Sequence, residues 1–143
     1  MDTFKSKSPA ETEHVGIEIA QRLDVGKCLA LNGPLGAGKT VLTRGIARGM
    51  GLTDPRLVSS PSYVLVQEYP ADKIVYHVDL YRLPEASAEI SDLGLDEMLA
   101  DGVVVIEWAQ RAADRLPIPH WQANIEITGA STRLISFQEI TGR

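Results

Sequence analysis

The chain has 143 residues, of which 44% are hydrophobic and 23% charged, and its formal net charge is −5. This length predicts one domain that buries roughly two-thirds of its unfolded surface. No apolar run approaches the roughly 18 residues of a membrane span and no leader pattern opens the chain, so we expect a cytoplasmic protein without membrane contact. The single Cys28 excludes an internal disulfide, which fits a reducing compartment.

The N-terminal region predicts a short tail followed by a helix. Residues 1–7 are expected to form a frayed tail, and the helix is predicted from Ser8 to about Leu23. Ser8 suits the N-cap, Pro9 suits the first helical position, and Glu11 lies where it can return a hydrogen bond to the cap. The predicted core stripe consists of Val15, Ile19 and Leu23.

Residues 33–40 read G-P-L-G-A-G-K-T, a complete match to the phosphate-loop pattern G-x-x-x-x-G-K-[ST]. A predicted buried strand over 28–31 precedes them and a predicted helix over 40–50 follows, which is the context that such a loop needs. Glycines let successive N–H groups face phosphate oxygens at the helix N-terminus. Lys39 would reach the β- and γ-phosphates, and the Thr40 hydroxyl would bind Mg²⁺. Triphosphate binding is the leading interpretation, and a glycine-rich turn is the alternative.

The segment after the loop helix predicts a turn and a hairpin. Residues 59–63 read S-S-P-S-Y and are either a polar turn or a sensor of the γ-phosphate. Alternating residues over 63–69 and the run 74–81 predict two antiparallel strands joined by a turn. In the second strand His77, Asp79 and Tyr81 share a face, which is either an exposed sheet face or a site wall with Asp79 as a metal-binding or water-positioning carboxylate.

Residues 84–110 contain no Lys or Arg, and a helical segment is predicted over about 85–100, interrupted at Gly94. Such a stretch repels a phosphate backbone, so we do not expect direct nucleic-acid binding there. It is either a solvated helix face or a docking surface for a basic partner protein. Its acidic residues are Glu85, Glu89, Asp92, Asp96, Glu97, Asp101 and Glu107.

The run Val103–Ile106 is uninterrupted and apolar, which is typical of a central strand covered on both faces. Glu107 at its end is a candidate Mg²⁺ ligand and water-orienting acid. Trp108 either packs in the core or shields reacting groups from water. A closing hairpin is predicted from 125–128 and 134–137. The expected fold is α/β, a P-loop NTPase-type three-layer sandwich with a mixed parallel and antiparallel sheet.

Five segments in this order resemble the TsaE family, formerly called YjeE, over nearly the whole chain. They are L-N-G-P-L-G-A-G-K-T (31–40), S-P-S-Y (60–63), H-V-D-L-Y-R (77–82), G-L-D-E (94–97) and V-I-E-W-A (105–109). The phosphate loop is generic, whereas H-x-D-x-Y-R and I-E-W in this order are highly specific. Ser62 stands where the family usually has Thr, and Val41 replaces the Thr that usually follows the loop's own Thr.

The resemblance implies a Mg²⁺-dependent ATPase, weak alone, that yields ADP and supports threonylcarbamoyl modification of adenosine 37 in tRNAs reading codons that begin with A. In this family the TsaD–TsaB pair makes the transfer, the TsaE-like subunit docks on it, and tRNA is met only through the complex. Lys39, Asp79, Glu107 and Trp108 would be catalytic, with Thr40, Glu107 and Asp79 at the metal. Nucleotide contacts would come from Ser8, Gly33, Leu35, Gly36, Ala37, Gly38, Lys39, Thr40, Val41, Ser62 and Arg133.

Two other functional classes remain open at this point. A small P-loop kinase is disfavoured because no Arg-rich lid segment follows the acidic stretch and little chain is left for an acceptor pocket. A non-catalytic, nucleotide-gated binding module is the second alternative. The chain lacks the guanine-reading pattern N-K-x-D, which disfavours GTP, but no base-reading pattern in the sequence selects ATP.

Overall fold

The computed structural model describes residues 1–58, 65–84 and 88–142, which form one seven-stranded mixed sheet with helices. Its strands are β1 (Asp2–Ser6), β2 (Cys28–Asn32), β3 (Val66–Tyr69), β4 (Ile74–Asp79), β5 (Gly102–Glu107), β6 (His120–Ile127) and β7 (Arg133–Ile140). Its α-helices are α1 (Pro9–Ala20), α2 (Lys39–Gly49), α3 (Ala88–Ser91) and α4 (Leu95–Asp101), and short 3-10 helices cover Pro55–Leu57 and Ala109–Arg115.

The strand order is β1-β7-β6-β2-β5-β4-β3. The four strands β6, β2, β5 and β4 are parallel and form the centre, and antiparallel pairing adds β3 at one edge and β7 with β1 at the other. Both predicted hairpins, β3–β4 and β6–β7, are therefore confirmed. The expectation of a mixed α/β sheet with the 103–106 run in a central strand is also confirmed, because β5 is buried along its whole length.

Alternate residues of the central strands pack into two separate cores. Leu29 and Leu31 of β2 belong to the cluster that also contains Ile19 of α1 and Ile46 of α2. Cys28, their neighbour on the opposite face, belongs to a second cluster with residues of α3, α4 and the 109–115 segment. Burial on both faces explains why the central strands are uniformly apolar.

The N-terminal residues correct one prediction. Residues 1–7 were expected to form a frayed tail, but β1 pairs with β7 from Asp2 opposite Phe137 to Ser6 opposite Arg133. The hydroxyl of Ser6 also lies 2.7 Å from that of Thr12 in α1. The frayed-tail prediction is wrong because β1 is held by backbone hydrogen bonds to β7, which is distant in the chain. Such pairing leaves little trace in the local sequence of residues 1–7.

The predicted helix ends are close to those observed. Ser8 caps α1 by accepting a 3.1 Å hydrogen bond from the Glu11 N–H, and α1 ends at Ala20, three residues before the predicted end. Gly94 adopts a left-handed conformation and separates α3 from α4, as expected for the acidic segment. Residues 85–87 at its start lie outside the described part of the chain. Across the described ranges, no helix combines the length and the apolar character needed to cross a lipid bilayer.

Helices α1 and α2 approach closely through two glycines. A Cβ placed on Gly16 would lie 2.9 Å from the Cα of Gly45 and 2.9 Å from the backbone nitrogen of Ile46. These are backbone atoms of α2, which cannot rotate away as a flexible side chain can. The contact fixes α2, and thereby the phosphate loop at its N-terminus, against α1.

Replacement of Gly16 by Ala is expected to lower the free energy of unfolding by about 1–3 kcal/mol, because the new methyl group overpacks the α1–α2 contact. Helix propensity alone predicts the opposite sign, since Ala favours a helix interior by about 1 kcal/mol over Gly. Urea unfolding measures the difference. Gly142→Ala is the control, because no atom lies within 4 Å of its added Cβ. A Gly16→Ala protein as stable as the wild type would show that the two helices readily separate.

Candidate functional site

The phosphate loop joins β2 to α2 and ends in an uncapped helix N-terminus. Gly36 and Gly38 have positive φ values of 79° and 105°, and Gly38 is the N-cap of α2 with no side-chain hydrogen bond to the helix. The first N–H groups of a helix have no partner inside the helix. In α2 they are left available for an anion, and the helix dipole favours negative charge there.

Arg133 at the start of β7 forms hydrogen bonds with the backbone of this loop. Its Nε donates a 3.0 Å hydrogen bond to the carbonyl of Ala37, and one of its terminal nitrogens donates a 3.3 Å bond to the carbonyl of Gly36. The sequence resemblance predicted Arg133 as a nucleotide contact, and the structure brings it to the loop's carbonyl oxygens. Its charge therefore lies beside the predicted phosphate site and also holds the loop's shape.

Two carboxylates lie at the same edge of the sheet as the loop. Glu107 ends β5 opposite Leu31 of β2, and Asp79 ends β4 opposite Glu107. In parallel strands the carboxyl ends share one edge, which is where open α/β sheets bind ligands. The structure therefore brings together the loop and the two acids that the sequence had predicted as site residues.

Glu107 is buried and paired with a histidine. Its Oε2 bonds to Nε2 of His77, and the Nδ1 of His77 lies 2.8 Å from the hydroxyl of Tyr69. His77 is 0% exposed, so it does not lie on an exposed sheet surface, whereas Tyr81 lies beyond the end of β4 and is 48% exposed. Sequence reasoning placed His77 on the shared face but assigned it no role of its own, because only the fold brings its ring to Glu107.

Asp79 is partly buried beside Glu107. Burial raises the pKa of Asp79 above its ordinary value of 3.8, and the nearby Glu107 charge raises it further, whereas the hydrogen bond from the Tyr81 N–H lowers it. The hydrogen bond from Tyr81 is 2.9 Å long. The folded protein therefore disfavours the charged form of this carboxyl, as at sites where a carboxylate meets a cation or a substrate proton.

Trp108 packs over the phosphate-loop lysine. The Nζ of Lys39 lies 4.7 Å from the centre of the Trp108 ring, and the ring of Tyr81 is 4.9 Å away on centroids. Arg111, which sequence reasoning missed, lies 5.5 Å from the same ring and donates to the carbonyl of Tyr81. Trp108 has a left-handed backbone with φ of 60°, an uncommon state for a bulky residue. The aromatic ring therefore borders the predicted phosphate site and is not confined to the core.

The remaining predicted residues fall into three groups. Ser62 and the rest of the predicted switch at 59–63 lie outside the described residues. Ser8 lies at the start of α1, where its side chain caps the helix. Leu35 is 71% exposed at the tip of the loop, and Val41 lies in the first turn of α2.

The predicted magnesium ligands are a hydroxyl and two carboxylates on three elements, Thr40 in α2, Glu107 in β5 and Asp79 in β4. The described ranges contain no cluster of three or more His, Cys, Asp or Glu side chains that could hold a metal ion. Mg²⁺ bound with a nucleotide needs only one or two protein carboxylates, since phosphates and water supply its other ligands. The donor set therefore fits Mg²⁺ that arrives with a triphosphate and not a permanent all-protein site.

Comparison with known proteins gives a consistent family. Residues 6–135 match the family model of TsaE, described as threonylcarbamoyl adenosine biosynthesis protein. The tRNA threonylcarbamoyladenosine biosynthesis protein TsaE of Bacillus subtilis is 37% identical over 142 residues, covering 98% of this chain and 87% of the relative. Its counterpart in Mycobacterium tuberculosis strain H37Rv is 36% identical over 137 residues, covering 89% and 80%. The crystal structure of Bacillus subtilis YdiB superposes with a TM-score of 0.78 at 31% identity, covering 99% of this chain and 86% of that one.

Replacement of Asp79 by Asn is expected to raise the Tm at pH 7, because the folded protein disfavours the charged carboxylate and the amide carries no charge. Because folding raises this pKa, the stability linked to the protonated carboxyl is present below the ordinary value of 3.8 and is lost as the pH rises through the folded value. The amide removes that loss, so the difference in Tm should narrow towards pH 4.

Thermal unfolding without nucleotide or metal, at pH 7 and pH 4, measures both differences. Asp92→Asn makes the same chemical change at an exposed position and serves as the control. A difference in Tm that is equal at the two pH values, or a Tm below that of the wild type at pH 7, would contradict the expected charge effect at Asp79.

Proposed function

This chain belongs to the TsaE family of threonylcarbamoyl adenosine biosynthesis proteins, and we propose that it acts there as the subunit that binds and hydrolyses ATP. The supporting observation is that the phosphate loop, with the uncapped N-terminus of α2, lies at the same edge of the parallel strands as two strand-end carboxylates. The two apolar cores on opposite faces of this sheet agree with a P-loop NTPase-type three-layer sandwich. ATP as the nucleotide, ADP as the product and Mg²⁺ as the metal are parts of the proposal.

Nucleotide binding would come mainly from backbone amides of the loop and from the side chains of Lys39 and Arg133. The amides from Gly36 to Val41 would contact phosphate oxygens, and Lys39 would neutralise the β- and γ-phosphates. Arg133 donates hydrogen bonds to the carbonyls of Gly36 and Ala37 and would thereby help to hold the backbone of the loop for phosphate binding. Gly33 and Leu35 belong to the same loop and would contact the nucleotide, as would Ser8 at the start of α1.

The metal fit leads to specific ligand roles. The Thr40 hydroxyl and Glu107 would hold Mg²⁺, with Asp79 as a further ligand or through water. A bound Mg²⁺ neutralises charge on the phosphates during transfer to water. Burial and the nearby Glu107 charge raise the pKa of Asp79, and a bound cation would offset this unfavourable environment for the carboxylate.

Hydrolysis would depend on water placement and water exclusion. Glu107 orients the attacking water, and Trp108 covers Lys39 so that bulk water is kept from the phosphates. The segment that contains Ser62 would sense the γ-phosphate and reach its active arrangement only with protein partners. This makes the free protein a weak ATPase.

The partners in this proposal are TsaD and TsaB, which carry out threonylcarbamoyl transfer to adenosine 37 of tRNAs that read codons beginning with A. Asp92, Asp96 and Glu97 are exposed around α3 and α4 and would form part of an acidic docking surface. The same charge disfavours direct contact with tRNA, which would be met only through the complex. A cytoplasmic location fits the free thiol of Cys28, whose pKa burial raises to about 12.

Replacement of Lys39 by Ala is expected to lower ATP turnover about 100-fold, the scale for removing one charge-stabilising donor from a transition state. Phosphate release would be measured with Mg²⁺, with and without the TsaD–TsaB pair. The matched control is Lys27→Ala, an exposed lysine in the turn before β2. Unchanged turnover in the Lys39 variant, or no stimulation by the pair, would contradict the proposal. Phosphate that appears only on an acceptor molecule would instead support the kinase alternative.

Nucleotide choice should be visible in tryptophan fluorescence. ATP is expected to bind more tightly than GTP. Its binding should change the emission of Trp108, because the Trp108 ring lies 4.7 Å from Nζ of Lys39. Titrations with each nucleotide give the two Kd values. Trp108→Phe should lose the signal while Trp121, the other tryptophan, remains. Equal Kd values for ATP and GTP would overturn the adenine assignment.

A further inference from the structure

A buried chain of polar side chains leads away from Glu107 into the protein. Tyr69 is 2% exposed, His77 is 0% exposed and Glu107 is 5% exposed. The Tyr69 hydroxyl lies 2.8 Å from Nδ1 of His77, and Nε2 of His77 bonds to Oε2 of Glu107. Tyr69 also lies 2.7 Å from Oε1 of Gln67, so the chain continues through β3. Three connected polar side chains in the interior, with the half-buried Gln67 at their end, are a costly arrangement unless each bond is satisfied.

The proton positions in this chain are constrained by the carboxylate. A carboxylate oxygen accepts hydrogen bonds, so in this pair Nε2–H of His77 is the donor and Oε2 of Glu107 is the acceptor. The Tyr69 hydroxyl meets Nδ1 at the other side of the ring and stops the imidazole from rotating away. The bond to Glu107 is thus fixed at both ends, by the strand that holds Glu107 and by the tyrosine that holds the ring.

The two oxygens of the Glu107 carboxylate have different surroundings. Oε2 is used by His77, and among the described residues Oε1 accepts no hydrogen bond. Glu107 lies at the carboxyl end of β5, directly opposite Leu31. Leu31 precedes the first residue of the phosphate loop by two positions. A carboxylate held through one oxygen has a defined direction for the other, as metal ligands and water-orienting acids require.

We propose that the buried pair Tyr69–His77 is a positioning device that holds Glu107 by one oxygen and leaves its other oxygen aimed at the ligand of the phosphate loop. This inference rests on the proposed ATPase function, in which Glu107 acts on Mg²⁺ or on the attacking water. His77 acts through Glu107 and touches no reacting atom. Loss of the His77 side chain therefore slows the chemical step and weakens Mg²⁺ binding, while phosphate binding by the loop is preserved.

A matched pair of amide variants tests the role of His77. His77→Gln places an N–H donor near the position of Nε2, whereas the shorter side chain in His77→Asn places its donor near Nδ1, out of reach of Glu107. Both variants lose the imidazole ring and its packing. His77→Asn should lower kcat about 10- to 100-fold with the KM for ATP nearly unchanged, the usual cost of losing a group that orients a metal ligand. His77→Gln should restore most of kcat.

A second readout does not depend on turnover. The affinity of the ADP-bound protein for Mg²⁺, measured by calorimetry, should fall in His77→Asn and recover in His77→Gln. Tyr69→Phe keeps the ring of residue 69 and removes the hydroxyl, so it should give a smaller loss of kcat, about threefold to tenfold. If His77→Asn does not fold, the Tyr69→Phe result decides the matter, and an unchanged kcat there would overturn the proposal.

The outcomes separate this inference from the proposed function. If the wild type shows no Mg²⁺-dependent ATP hydrolysis that requires Lys39, the proposed function fails. If the wild type hydrolyses ATP and Glu107→Gln is impaired, but the two His77 variants are equal to each other in kcat and in Mg²⁺ affinity, the positioning role fails. An equal loss in both would assign His77 to packing alone.

Discussion

The parallel pairing of β2, β5 and β4 is the constraint on which the rest of the site depends. Because the three strands run in the same direction, their carboxyl ends meet at one edge, and the register sets Leu31 opposite Glu107 and Glu107 opposite Asp79. β5 is buried along its whole length, and its backbone pairing with β2 on one side and β4 on the other fixes this register. The phosphate loop and both acids are therefore placed by the same hydrogen-bonded ladder.

Burying the charged groups Glu107, Lys39 and Asp79 at this edge destabilises the fold, and neighbouring side chains reduce that cost. Glu107 is buried but bonded to His77, and Lys39 is buried but lies over an aromatic face. Asp79 has less compensation, and burial together with Glu107 raises its pKa. Unfavourable burial of this kind is common where a site is built to receive a cation or a phosphate group. The charged form of Asp79 is therefore the least compensated of these three charges.

Local sequence signals predicted the elements with strong patterns. The phosphate loop, the capped start of α1 and the central β5 were predicted because glycine spacing, Ser8 with Glu11, and an unbroken apolar run each have one dominant physical cause. The N-terminal strand was missed because the segment D-T-F-K-S gains its order from backbone bonds to β7, about 130 positions away in the chain. His77 was placed on the right face, but its burial and its two bonds depend on Tyr69 and Glu107, which come from different strands.

The sequence by itself determined which residues are candidates for the site: the G-x-x-x-x-G-K-T loop with its lysine and hydroxyl, two acids at strand ends and an adjoining tryptophan. It could do so because each of these depends on residue type and short spacing. Only the tertiary structure decided which groups meet. Arg133 reaches the loop from the last hairpin, Arg111 and Tyr81 surround Trp108, and His77 becomes the partner of Glu107. The physical reason is that strand order and register bring together residues that are distant in the chain, and side-chain burial is set by packing that no local pattern encodes.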